Sequence, residues 1–293
     1  MRRAALIACL LMHTVGAAHA AHPGPGSHWR ELDQKTKVPL TYFQGMTHDP
    51  SGNRYFTGVH LGLYRTDPDL NETGANHDVI PPDVHLREGY NHVGDLSHHA
   101  GLLYLPLECY YFQAGNTCKT GSIGVADAHT LQMLWYVKLD PTEIPKAMWA
   151  EVSPDGKLLW TSTGRDLLAY DMNDLTQHHA APGAAPIKAV KRLPGAVPPS
   201  KVTGATFVGD RLFLAGQDDG QQIWSVDLTT GESVFETSTS YIGEAEGLDD
   251  DFDLTTGDHL PGDLHWQVMP WNDKAYPTHG VTNGVLYHFE QIG

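Results

Sequence analysis

Short apolar runs alternate with Gly-, Pro- and Asp-bearing turns along almost the whole chain. Their spacing suits strands, and no long stretch carries helical periodicity. One composite unit recurs. An apolar run holding a small or acidic residue leads into a turn. A run such as Leu158-Leu159-Trp160 or Leu212-Phe213-Leu214 follows, then a Gly or polar break, then a short run ending near Asp. The copies run from Phe43-Gln44-Gly45-Met46 to Tyr64, from Asn91-His92-Val93-Gly94-Asp95 to Ala126, and from Trp149-Ala150-Glu151 to Asp171. Two more run from Thr203-Gly204-Ala205 to Asp227 and from Glu244-Ala245-Glu246-Gly247-Leu248 to Phe289. Strand-only copies at intervals of roughly 40 to 55 residues predict an all-β, five-bladed β-propeller. Function in such a ring is expected at the mouth of the central channel, lined by the first strand of each blade.

The pattern predicts strands at Gln44–His48, Arg54–Gly58 and Gly62–Arg65 in blade one, with Val79–Leu86 as its outer part. Blade two takes Val93–Ser97, Leu102–Leu107, Ser122–Ala126 and Met133–Leu139. Blade three takes Trp149–Ser153, Leu158–Ser162, Leu167–Asp171 and Lys188–Leu193. Blade four takes Thr203–Phe207, Arg211–Ala215, Gln222–Asp227 and Ser233–Thr237. Blade five takes Ala245–Leu248, Leu264–Met269 and Val285–Phe289, and lacks a fourth strand. The N-terminal segment around Trp29 is expected to supply it and close the ring, which removes an exposed sheet edge. A sixth blade is the alternative if Thr66–Glu88 or Asp249–Asp263 hides strands. Asp49-Pro50-Ser51-Gly52 and Ser153-Pro154-Asp155-Gly156 read as turns, with Pro at the first central position and Gly where φ turns positive.

Composition adds compartment and partners. Residues 1–20 start with Met1-Arg2-Arg3, continue apolar and end Ala18-His19-Ala20, the form of a secretory leader. Residues 21–293 are then one propeller domain, secreted or periplasmic. The net charge of the chain is −16. That sign disfavours nucleic acid and anionic membranes, and suits a monomer that meets a small-molecule or carbohydrate ligand. Cys9 lies in the leader, so Cys109 and Cys118 are the remaining pair and are expected to form a disulfide.

No nucleophile elbow, paired zinc-type histidines or phosphate loop occurs. Position within the repeat therefore carries the site. Alignment of the copies puts Gln44, Asn91 with His92 and Asp95, Glu151, Thr203, and Glu244 with Glu246 near the channel. Carboxylates converging on one axis stay ionised only with a cation or donors between them. Oxygen ligands of this kind point to Ca²⁺ held by Asn91, Asp95, Glu151 and Glu246. Glu151, beside Trp149 in an apolar strand, and His92 are the candidate proton-transfer groups. Gln44, His48, Trp149, Tyr110 and Tyr111 are candidate substrate contacts, the tyrosines as stacking surfaces. Asp249, Asp251 and Asp253 form a second acidic stretch, either a cation loop or a solvated hairpin.

Phe43-Gln44-Gly45-Met46-Thr47-His48-Asp49 with Arg54-Tyr55-Phe56-Thr57-Gly58 resembles the opening blade of plant-type glutaminyl cyclases, which are five-bladed. That resemblance implies a pocket holding Gln44 and a later Glu, with Glu151 and Glu246 the candidates. Ser153-Pro154-Asp155-Gly156-Lys157-Leu158-Leu159-Trp160 and Leu167-Leu168-Ala169-Tyr170-Asp171 also resemble the gluconolactonase/paraoxonase group, Ca²⁺-dependent hydrolases. That second resemblance implies Ca²⁺ ligands among Asn91, Asp95, Glu151 and Glu246. The leading expectation is a divalent-metal-dependent hydrolase of a lactone- or ester-type molecule. A non-catalytic sugar- or peptide-binding propeller and a glutaminyl cyclase-like acyltransferase are the alternatives.

Overall fold

Five antiparallel sheets form the blades of a β-propeller in a computed structural model that describes residues 28–58, 61–109, 118, 120–177, 184–198, 201–216, 221–239, 243–250, 263–270 and 283–292. Blade one holds β2 (Gly45–His48), β3 (Arg54–Thr57), β4 (Leu63–Thr66) and β5 (Glu72–Asn76). Blade two holds β6 (His92–Val93), β7 (Ser97–His99), β8 (Leu102–Glu108), β9 (Ser122–Asp127) and β10 (Met133–Lys138). Blade three holds β11 (Glu151–Val152), β12 (Leu158–Thr163), β13 (Asp166–Asp171) and β14 (Lys191–Leu193). Blade four is β15 (Val202–Val208), β16 (Arg211–Gly216), β17 (Gln221–Asp227) and β18 (Ser233–Thr239).

Blade five joins both ends of the chain. It runs β19 (Gly243–Asp250), β20 (Leu264–Pro270), β21 (Asn283–Ile292) and then β1 (His28–Pro39). The expected N-terminal closure is therefore the observed one, with Trp29 opposite Gln291 and Val38 opposite Gly284. Trp29 also packs edge-on against Phe213 of blade four at 5.6 Å, which pins the closing strand to the neighbouring blade.

The Asp that ends each unit has a definite job. Asp67, Asp127, Asp171 and Asp227 finish the third strands of blades one to four. Each accepts a backbone N–H from the turn or, for Asp171, the short helix that follows: Asn71, Thr130, Asn173 and Thr229, at 2.7–2.8 Å. A carboxylate satisfies these otherwise unpaired donors, so the acid recurs where the chain reverses.

Two expectations differ from the structure. The outer strand of blade one is Glu72–Asn76, and Val79–Leu86 is not a strand. Pro82–Glu88 is a helix, α1, preceded by Pro81 and ended by Gly89 at φ 86°. Two consecutive prolines cannot donate to a ladder, whereas proline suits a first helical turn. The first strand of blade two is also interrupted. Gly94 still donates to Pro106 of β8, but Asp95 leaves the sheet and bridges in parallel to Trp149. A short helix, α2 (Met172–Gln177), follows β13. Among the described residues no helix is long and apolar enough to cross a membrane.

Candidate functional site

The first strands β2, β6/β7, β11, β15 and β19 converge on the axis at one small residue each: Gly45, Gly94, Ala150, Gly204 and Gly247. Neighbouring backbones meet there. A Cβ on Gly94 would lie 1.9 Å from the Met148 carbonyl oxygen, and one on Gly204 would lie 2.3 Å from that of Glu246. A Cβ on Gly247 would lie 2.6 Å from the Met46 nitrogen. This collar divides the channel. Residues before it lie at the proximal end, where first strands begin, and residues after it lie at the distal end.

Asp95 is the hub of the collar. Its Oδ1 accepts the Met46 N–H at 3.0 Å, and its Oδ2 accepts those of Ala205 at 2.9 Å and Leu248 at 3.4 Å. Its own N–H donates to Met148, and its carbonyl accepts from Ala150 at 3.0 Å. One residue of blade two thus ties in the other four blades. Burial pushes its carboxyl well up, and the donors from Ala205, Met46 and Leu248 oppose that push.

The proximal end carries a chain of side chains drawn from blades one, two and five and from the connection that holds Lys146. Lys146 lies 3.0 Å from Glu108 Oε2, and Glu108 Oε1 lies 2.9 Å from His92 Nδ1. His92 Nε2 meets Gln44 Oε1. The Gln44 amide in turn bonds the Glu246 carboxyl. Gln44, His92, Glu108 and Glu246 are all buried. Burial pushes Glu246 well above the usual carboxyl range, and the charge of Glu244 adds to it; Lys201 and the Gln44 bond oppose. Burial also raises the partly exposed Glu244, against which Lys201 and His92 act. Two carboxyls two residues apart on β19 therefore stand in unequal environments. The deeper one keeps its proton to higher pH, the arrangement that yields an acid and a base from like groups.

The distal end is different. His48 Nδ1 lies 2.9 Å from Asp249 Oδ2. Thr206 donates to Asp250 at 3.5 Å. Burial, then the charge of Asp249, pushes Asp250 up to about 7, with His48 opposing. Burial raises Glu151 well above its usual range, and Asp95, Asp250 and Asp249 raise it further; the Phe207 N–H opposes. A cleft of about 900 Å³ opens on this side between blades three and four, lined by Trp160, Phe207, Lys191 and Arg211 among others. Asp155, Asp210 and Asp227 also line it, whereas Glu151, Asp249 and Asp250 do not.

The expected site residues thus fall into separate places. Gln44, His92 and Glu246 come together proximally, and the backbone N–H of Asn91 joins them by donating to the Glu108 carbonyl at 3.1 Å. Glu151 and His48 come together distally through Asp249. Trp149 is a core indole, fully buried, with its N–H on Ser162 at 2.9 Å. Cys109 and Cys118 form the expected disulfide, with Cα atoms 5.6 Å apart. Tyr110, Tyr111, Asp251, Asp253 and the leader lie outside the described residues. Asn91, Asp95, Glu151 and Glu246 do not fit one Ca²⁺ ion. Both Asp95 oxygens face backbone donors inside the collar, and Glu246 and Glu151 sit on opposite sides of it.

Glu108, Lys146 and Lys201 were not singled out from sequence. Glu108 had a visible signal, a lone acid ending the apolar run Leu102–Leu107. The two lysines had none, because they come from connections whose approach to the axis only the closed ring defines.

No protein-family model matches the sequence, and no curated protein matches it. Solved structures do match in fold. A luciferin-regenerating enzyme is 14% identical, with 90% of this chain and 96% of that one covered at a TM-score of 0.52. The glutaminyl cyclase of Myxococcus xanthus is 10% identical, with 92% of this chain and 100% of that one covered at a TM-score of 0.59. At these identities the likeness is one of fold, the β-propeller.

Proposed function

We propose that the proximal end is the active site of an enzyme that transfers an acyl group by general acid–base catalysis, with cyclisation of an N-terminal glutaminyl residue the reaction it fits best. The observation that carries this is the Glu244–Glu246 pair, with Glu246 fixed on Gln44 and through it on His92 and Glu108. In the reaction the substrate α-amine forms a C–N bond to its own γ-carboxamide carbon. Glu244, ionised beside Lys201, takes the amine proton. The C–NH₂ bond breaks, and Glu246 gives its proton to the departing ammonia. Return of the proton from Glu244 to Glu246 resets the pair. The solved cyclase of similar fold favours this chemistry.

Lactone or ester hydrolysis is the second reading. It uses the same pair, with water in place of the amine, and it needs no cation at an end that Lys146 and Lys201 already occupy. The test is a turnover assay on a glutaminyl peptide and on a panel of lactones and esters, run with wild type and Glu246→Gln. Ammonia release from the glutaminyl peptide by wild type and its loss in the variant are expected. Turnover of a lactone alone selects hydrolysis, and equal rates in wild type and variant would sink both.

A further inference from the structure

The distal end presents a ligand set that the proximal chemistry leaves unused. His48 closes β2 of blade one, and Asp249 and Asp250 close β19 of blade five. One ligand atom from each of these residues lies within 4.8 Å of the others. An ion bound at about 2.1–2.4 Å from each ligand needs ligands no farther apart than about 4.8 Å. Glu151 of blade three is a further acid close enough for Asp250 and Asp249 to raise its pKa.

The set is mixed rather than merely acidic. An imidazole nitrogen already sits 2.9 Å from one carboxylate oxygen. The charged groups acting most strongly on Glu151 are Asp95, Asp250 and Asp249, and those on Asp250 are His48 and Asp249. His98 and Asp49 flank the group from blades two and one. Three carboxyls thus meet the His48 imidazole, with His98 beside it, in partly buried surroundings. Charges so placed are paired or bind a metal. The Asp95 carboxylate above them is committed to backbone donors and gives no relief.

We propose that His48, Asp249 and Asp250 form a divalent-metal site on the distal face, with Glu151 as a neighbouring acid. Nitrogen with carboxylate oxygen suits a first-row ion such as Mn²⁺ or Zn²⁺ better than Ca²⁺, which takes oxygen throughout. The sequence-based expectation of a cation is thereby moved across the collar and given a different ligand set and metal class.

The test is metal binding to chelator-treated whole protein, by calorimetry with Mn²⁺, Zn²⁺ and Ca²⁺ and by loss of the free Mn²⁺ electron-spin signal. One saturable Mn²⁺ or Zn²⁺ per chain is expected, tighter than Ca²⁺, with a raised melting temperature at saturation. Asp250→Asn and His48→Gln should each weaken binding at least tenfold, while Glu246→Gln binds as wild type does. His48→Gln serves if Asp250→Asn fails to fold. Absence of stoichiometric binding in wild type overturns the proposal. So does binding that survives both distal variants, or binding that is lost in Glu246→Gln instead.

Discussion

At the proximal end, Lys146, Lys201 and His92 are interleaved with Glu108, Glu244 and Glu246. At the distal end, Glu151, Asp249 and Asp250 face one another with His48 as their nearest opposing group. Both ends are built from the same strands, a few residues apart. The difference shows how a propeller can hold two chemistries in one channel. In the proposed reaction the proximal set moves protons because unequal environments separate two carboxyls. The distal set concentrates negative charge, which a cation relieves. The glycine collar and Asp95 keep the two apart.

The most drastic way to break this comparison is to remove the partition. Asp95→Ala leaves the N–H groups of Met46, Ala205 and Leu248 buried without their acceptor. At about 1–3 kcal/mol for each buried unsatisfied donor, the loss is on the order of 4 kcal/mol, readable in a denaturant titration. Gly94→Ala should be comparably damaging, since its Cβ would lie 1.9 Å from a backbone oxygen that cannot move aside.

The next effect confines itself to the proximal end. Glu246→Gln should lower turnover by roughly 10²- to 10⁴-fold with little change in fold, the usual contribution of one acid–base group. Circular dichroism beside the kinetic assay separates lost chemistry from lost structure.

A pH series sharpens the contrast further. Because burial raises the folded-state pKa of Glu246, wild type loses stability as pH rises above about 4.3, where the unfolded carboxyl ionises, until the folded pKa is reached. Glu246→Gln carries no such loss. Its melting temperature should therefore gain on wild type from about pH 4 upward until the folded carboxyl ionises, and a constant difference would contradict a raised Glu246. The smallest effect is expected at Lys201, whose charge opposes the upward push of burial on Glu244. Lys201→Gln should move the ascending limb of the pH–rate profile upward by a few tenths of a unit, in line with a partly screened surface charge.

Much of the ring could be read from sequence because each device in it is local. The turn-closing Asp67, Asp127, Asp171 and Asp227 act within a few residues of themselves. The closing role of Trp29 follows from a missing fourth strand. Pro81-Pro82 signalled the end of a ladder, yet the apolar Val79, Ile80 and Val84 mimicked a strand because all three are buried. The site was only half legible. Gln44, His92, Glu151 and Glu246 all line the axis, and alignment gathered them into one ring. The residue between them, Gly45, Gly94, Ala150, Gly204 or Gly247, sets which side of the collar each belongs to. That small residue stands in the sequence, but its meaning depends on backbones from neighbouring blades touching.

The central claim is that one carboxyl of the β19 pair works as base and the other as acid. The pH dependence of glutaminyl-peptide cyclisation by wild type, Glu244→Gln and Glu246→Gln tests it most directly. A bell-shaped wild-type profile is expected, with the ascending limb lost in Glu244→Gln and the descending limb lost in Glu246→Gln. Profiles that keep both limbs and wild-type rates in the two variants would contradict the assignment.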